Sequence, residues 1–214
     1  MATKQALSMP AGWTLNLKLD WQAGNADQSI TYKCWNCGSE VAVAWGYHSL
    51  DAESRKPAAW IRICHACKMP TFFFNRGEIT YQVPGALPCE PVTNLEETVE
   101  ALYNEARRCI ANDAPTAATL LCRKILMHVA VEKGAAEGES FVTYVNYLAE
   151  NGYVTTNARG WVDYIRTKGN EANHEVVRIN EKDAEALLQF TEMLLRLMFE
   201  FPNRVPAPPS VASL

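Results

Sequence analysis

Two sets of residues have the types and spacing to do chemistry. Cys34-x2-Cys37 and Cys64-x2-Cys67 are CxxC pairs with 26 residues between them. Four thiolates so arranged can close a tetrahedron around Zn2+, with bonds of about 2.3 Å. The usual gap is about 15–20 residues, and the polar stretch HSLDAESRKPA at 48–58 accounts for the excess. Protein fills every coordination position of such a site, so the expected zinc is structural rather than catalytic. The second set is Arg166, Asn170 and His174 in WVDYIRTKGNEANHEVV, residues 161–177. On a continuous helix, spacings of four and eight put the three on one stripe. An Arg, an Asn and a His in line form either a phosphate-facing site or a buried polar staple. Gly169 supports a structural alternative, a helix-to-helix junction where Gly relaxes the backbone and Asn170 caps the next helix.

Other residues carry weaker signals. Trp35, His65, Lys68 and Arg76 could present side chains to nucleic acid or protein, although an aromatic inside a knuckle is more often packing. Cys89, Cys109 and Cys122 show no pairing pattern, and Cys109 and Cys122 read as core filler on apolar helix faces. Arg107-Arg108 and Arg123-Lys124 read as solvated helix faces. Arg123-x4-His128 matches an Arg-x4-His pattern, but five residues along a helix is a rotation of about 140°, so the two side chains point apart. Glu132, Glu137 and Glu139 of EKGAAEGES face solvent. No nucleotide-binding loop, HExxH, GxSxG or carboxylate-rich metal cluster occurs.

The elements that must position these residues fall into two regions. Residues 13–33 read as strand, turn and strand, breaking at GNAD; VAVAWGY continues in strand fashion, and 48–58 is a loop. AWIRIC runs into the second cysteine pair, and TFFFNRGEITYQV is a hairpin turning at Asn75, Arg76 and Gly77. PGALPCEP is a hinge, after which the apolar period changes from two to 3.6. Asn94 with Glu97 starts a helix whose stripe is Leu95, Val99, Leu102, Ala106 and Cys109. Asp113 caps a second, through Ala117, Leu120, Leu121, Ile125 and Val129 to Gly134. Ser140 starts a third, stopped by Gly152, and 161–177 forms a fourth. The last runs over 181–201 with Leu187, Leu188, Thr191, Leu194, Leu195 and Met198 inward, and Pro202 ends it. The fold class is therefore α+β: a β-rich zinc ribbon over 1–88, a bundle of about five helices over 89–204, and a flexible tail over 205–214.

Composition bounds the functions. Apolar residues make up 48% and charged residues 21% of the 214, so the chain folds. No window approaches a membrane span, and the first residues lack a signal pattern. A cytoplasmic protein with no membrane partner is expected, its cysteines serving metal rather than disulfides. Residues 1–88 hold eight basic against six acidic residues, and 89–214 hold twelve against eighteen. Any RNA or DNA contact is then local rather than spread over the whole surface.

The segments ALYNEARRCI, AATLLCRKIL, GNEANH and ALLQFTEMLLRLMFEF, in that order over about residues 93–202, resemble an uncharacterised helical domain. That domain occurs in bacteria alone, behind zinc ribbons and fused to restriction-enzyme subunits, and is similar to the HEPN superfamily of helical bundles. The resemblance implies an accessory or effector of restriction or antiphage defence that binds a protein or nucleic-acid partner. Catalytic HEPN proteins are metal-independent endoribonucleases, whose dimers juxtapose an Arg followed four to six positions later by a His. By that resemblance His174 would be the acid/base, Arg166 would hold the phosphate and Asn170 would orient. The pattern departs here: Gly169 stands where the Arg belongs, and Arg166 lies one turn earlier. A homodimer is also expected, because the last helix is apolar on more than one stripe; a dimeric structural subunit of a larger complex is a further alternative.

Overall fold

The computed structural model describes residues 7–8, 19–24, 31–42, 45–51, 54–154, 160 and 179–204. They fall into two compact units: 1–88 with 107–114, and 89–106 with 115–214. Together they are mixed α and β, with strands in the N-terminal region and helices after it.

In the first unit β1 (Leu7–Ser8), β2 (Leu19–Ala23), β5 (Gly46–Asp51), β6 (Pro57–Ile63), β7 (Pro70–Arg76) and β8 (Ile79–Val83) form one sheet, ordered β1-β8-β7-β6-β5-β2. The short strands β3 (Tyr32–Lys33) and β4 (Glu40–Val41) form a second. All pairings are antiparallel except β1 with β8. VAVAWGY is thus not one strand: its first residue lies in β4 and its last two open β5, in different sheets. The expected loop over 48–58 is also shorter than read, since His48–Asp51 belongs to β5 and Pro57 starts β6. Proline is tolerated at a strand's first residue, where no ladder donor is needed. Asp51 closes the turn between them, its Oδ1 accepting from the Ser54 N–H at 2.7 Å and its N–H donating to the Lys56 carbonyl at 2.9 Å. The next hairpin turns one residue later than read, at Gly77-Glu78, because Arg76 pairs with Ile79. Gly77 takes φ 62, the positive φ a tight right-twisted hairpin demands of its first central residue. The last turn of the first long helix also belongs to this unit: the Gly85 N–H donates to the Ala111 carbonyl at 2.8 Å, and Arg107 Nε to the Pro88 carbonyl at 3.0 Å.

Cross-strand register assigns the sheet's two faces. Trp60, Arg62, Thr71, Phe73 and Gln82 share one face, and Trp60 and Phe73 pack there with Tyr32, Val41, Cys34 and Cys64. Trp21, Tyr47, Ala59, Phe72, Phe74 and Tyr81 share the other.

Among the described residues the bundle has four helices rather than about five, the expected helix at 161–177 lying outside them. They are α1 (Glu97–Ala111), α2 (Pro115–Glu132), α3 (Phe141–Glu150) and α4 (Glu181–Leu195), the last extended by a π turn (Arg196–Glu200) and a closing α turn (Phe201–Arg204). Ser140 caps α3 as read, accepting from the Thr143 N–H at 3.2 Å, and Asn180 caps α4 through the Asp183 N–H at 2.9 Å. Asn94 and Asp113 are not the N-caps expected of them. Both are left-handed, at φ 62 and 57, and α2 begins instead with Pro115 at its first position. Asp113 ends α1: its N–H bonds the Ile110 carbonyl and the Ala114 N–H the Cys109 carbonyl, the paired bonds of a Schellman ending. Gly134 and Gly152 end α2 and α3 with the same two bonds. The α1 core face is Val99, Tyr103, Ala106 and Ile110, about one position round from the stripe read, and Leu120 on α2 is exposed rather than inward. α2 packs against both α3 and α4. Pro202 does not terminate the last helix. The preceding π turn, in which the Phe201 N–H reaches back to the Arg196 carbonyl, shifts the hydrogen-bond frame and lets the chain carry proline into a further turn.

Candidate metal centre

The two CxxC segments fold as the same turn at the ends of β3 and β6. The Cys34 carbonyl accepts from the Gly38 N–H at 3.0 Å and the Cys34 N–H donates to the Ser39 carbonyl at 2.9 Å; Cys64 does the same with Lys68 and Met69, both at 3.0 Å. Each turn closes on a left-handed residue, Gly38 at φ 72 and Lys68 at φ 63. Two further bonds brace the pair. Trp35 Nε1 donates to the Pro70 carbonyl at 2.9 Å, and Gln82 Nε2 to the Lys33 carbonyl at 3.0 Å.

These turns bring all four Sγ atoms within 4.8 Å of one another. Cys34 and Cys67 are 3.7 Å apart, as are Cys37 and Cys64. A disulfide would need about 2.05 Å, and none of the seven cysteines is in one. Thiolates around an ion at about 2.3 Å lie roughly 3.8 Å apart along the edge of a tetrahedron. The spacing fits that geometry, so the four cysteines could hold a metal ion. Cys34 and Cys64 are buried while Cys37 is exposed. Burial pushes the Cys34 thiol up to about 12; the Ser39 hydroxyl, 3.3 Å from Cys37 Sγ, draws that thiol down to about 6. A bound cation would supply the charge that lets the buried Cys34 thiol ionise alongside Cys37.

The other candidates separate on burial. Trp35 is a brace between knuckles, as its place in the turn implied. His65 and Lys68 are exposed, Lys68 Nζ donating to the His65 carbonyl at 2.8 Å, and Arg76 lies at the exposed end of β7. Arg123 is buried with its guanidinium 4.4 Å from the Phe141 ring centre, whereas His128 is half-exposed, its Nε2 3.6 Å from Glu96 Oε2. They do point apart. Arg107 and Arg123 are not on solvated faces, however: both are buried, and only Arg108 and Lys124 of those pairs are exposed. Long aliphatic stems let arginine enter a helix packing face where its head finds an acceptor or a ring. Cys122 is core filler as read, and Glu132, Glu137 and Glu139 are exposed. Arg166, Asn170 and His174 lie outside the described residues.

A family model, "Domain of unknown function (DUF4145)", matches residues 104–210, 107 of the 214. The chain belongs to this DUF4145 family. The matched stretch begins inside α1, takes in α2, α3 and α4, and includes Arg166, Asn170 and His174; the four cysteines precede it. No curated protein and no solved structure matches the chain. Among the described residues no helix is long and apolar enough to cross a membrane.

Sequence reasoning missed three exposed aromatics in the first unit. Trp45 is 57% exposed, Trp21 39% and Tyr47 36%. Tyr47 and Trp21 share the face opposite the cysteines, and the Trp45 and Tyr47 rings meet edge to face at 5.3 Å. Trp21 reaches Phe72, with ring centres 6.1 Å apart. The available signal was the spacing of two between Trp45 and Tyr47, which puts both rings on one side of a strand.

Proposed function

We propose that this DUF4145 protein is an accessory or effector of bacterial restriction or antiphage defence. It binds a protein or nucleic-acid partner through a zinc ribbon and a HEPN-like bundle. Four cysteine ligands at tetrahedral spacing favour zinc and leave no open position for a substrate, which assigns the metal to holding the ribbon together. The observation that carries the binding reading is the exposed set Trp21, Trp45 and Tyr47. Exposed aromatic surface of this kind marks a contact site, and each ring offers a flat apolar face to a base or a side chain. The resemblance of the bundle supplies the defence context.

The test is fluorescence anisotropy with labelled single-stranded RNA and DNA from about 50 to 200 mM salt, comparing wild type with a Trp45→Ala/Tyr47→Ala double variant. A steep salt dependence together with at least a roughly tenfold loss in the double variant supports nucleic acid. Binding unaffected by the substitutions rules this surface out, and absence of binding leaves a protein partner.

The second reading, a metal-independent endoribonuclease using Arg166, Asn170 and His174, is favoured by the Asn-x3-His of GNEANH inside the matched family stretch. The same RNA, incubated in EDTA, should be cut by wild type and spared by His174→Ala and Arg166→Ala; cutting that persists in both variants removes the reading.

A further inference from the structure

The exposed side of α4 and its extension carries an apolar stripe with a hole near one end and a knob near the other. Ala186, Gln189, Phe190 and Met193 line a cavity of about 200 Å3, and a cavity of about 150 Å3 already admits a benzene ring. Met193 and Leu197 are each 36% exposed and Phe201 is 43% exposed. Steps of three or four residues keep these positions on one side of the helix over about 22 Å, and the wider π turn at Arg196–Glu200 keeps Phe201 in line with Leu197. The two ends differ in charge. The first turn of α4 holds Glu181 and Asp183 against Lys182, with Glu185 one turn on. Glu181 and Glu185 are like charges four residues apart; burial first, and then Glu181, pushes the Glu185 carboxyl up. Neither makes an ion pair among the described residues. The far end holds Arg204, whose side chain is 62% exposed although it reaches Glu200, and whose guanidinium carbon lies 5.9 Å from the Phe201 ring centre. Glu185 stands one position before Ala186 and Arg204 three after Phe201, offsets that at about 100° per residue fall on the same flank of the stripe.

We propose that this stripe receives a second copy of the chain in antiparallel two-fold packing centred at Met193, each copy's Phe201 filling the other's cavity. A two-fold interface must be complementary to itself, with each contact made twice. Ala186 and Phe201 lie seven and eight residues to either side of Met193. Turning one copy end for end about Met193 therefore lays Phe201 over the cavity, Leu197 over Phe190, and Arg204 beside the Glu181 and Glu185 end. Shape and charge select the same direction. Parallel packing would set Phe201 on Phe201, leave both cavities unfilled and bring Glu185 against Glu185, where like charges repel. The proposal does not depend on what the first unit binds.

Sedimentation equilibrium of the full chain over about 1–100 μM tests it, on wild type, Phe201→Ala and Glu185→Arg, with circular dichroism as the check of folding. Wild type should dimerise. Phe201→Ala withdraws both knobs and should weaken association at least about thirtyfold. Glu185→Arg sets an arginine against Arg204 twice over and should weaken it about three- to tenfold, a loss that shrinks in high salt. Should one variant fail to fold, the other decides. Wild type that stays monomeric throughout overturns the proposal and assigns the stripe to a different protein. Wild-type association in Phe201→Ala also overturns it, since the dimer would then use another surface. Unchanged association in Glu185→Arg overturns the antiparallel register, because parallel pairing sets position 185 against itself.

Discussion

Among the described residues five with side chains sit where the backbone favours glycine, and two of these do defined work. Lys68 closes the second knuckle at φ 63, where the first knuckle has Gly38, and Asp113 ends α1 at φ 57, where α2 and α3 use Gly134 and Gly152. The left-handed conformation costs a residue with a Cβ about 1 kcal/mol relative to glycine. Lys68→Gly and Asp113→Gly should therefore each stabilise the protein by about 0.5–1 kcal/mol, partly offset by the greater freedom glycine has when unfolded. Denaturant titration of the two variants reads this directly. A loss of stability in Lys68→Gly would show that its Nζ bond to the His65 carbonyl outweighs the backbone strain. Asp113 and Asn94 also show where residue type runs out as a signal. Asn and Asp favour helix N-caps and tolerate left-handed backbone for the same reason, a short polar side chain that bonds locally, so their presence before an apolar stripe does not separate the two roles.

At the scale of elements, the π turn closing α4 buries a carboxylate. Glu200 is fully buried; it accepts from the Thr93 N–H at 3.1 Å and from Arg196 Nη1 at 2.8 Å, and also pairs with Arg204. Arg196 in turn holds Glu192 and the Pro91 carbonyl, and Glu192 accepts from the Glu90 N–H. This chain of ion pairs ties the segment 90–93 to the last helix within one unit. The Thr93 N–H foremost, then Arg196 and Arg204 against the opposing effect of burial, hold the Glu200 carboxyl below its ordinary value. Its contribution to stability is then complete above the unfolded carboxylate range and is lost as the pH falls through the lower folded value. Thermal melts between about pH 7 and pH 3 should show wild type losing more stability on acidification than Glu200→Gln, which starts less stable at neutral pH. Equal slopes would mean that another carboxylate governs the acid limb. None of this was legible in FEFPNR, where proline reads as a stop: a π turn has no residue signature of its own. The cysteine turns were legible because a site able to hold a metal fixes residue type and spacing together. The boundaries of β5 and β6 were not, since HSLD is polar yet alternates into a sheet whose other partners lie far off in sequence.

For the molecule as a whole, the sequence conveyed the order of a β-rich region followed by helices. It did not convey that residues 107–114 of the helical region cluster with the β-rich residues 1–88, because hydrogen bonds such as Gly85 to Ala111 depend on three-dimensional proximity. The expected homodimer belongs to this scale. Met193, Leu197 and Phe201 are exposed along the last helix and its extension, beside a small apolar cavity lined by Ala186, Gln189, Phe190 and Met193. Light scattering at micromolar concentration should give twice the monomer mass, and a Met193→Glu/Leu197→Glu variant should give the monomer mass. Monomeric wild type would remove any composite site formed from two copies.

The sheet's outer strand has a practical consequence. Among the described residues β1 is Leu7 and Ser8, paired alongside Tyr81 and Gln82 of β8. A truncation that begins after Ser8 would bare those β8 amides and carbonyls as a template for a neighbouring molecule, so such a version should self-associate through strand pairing.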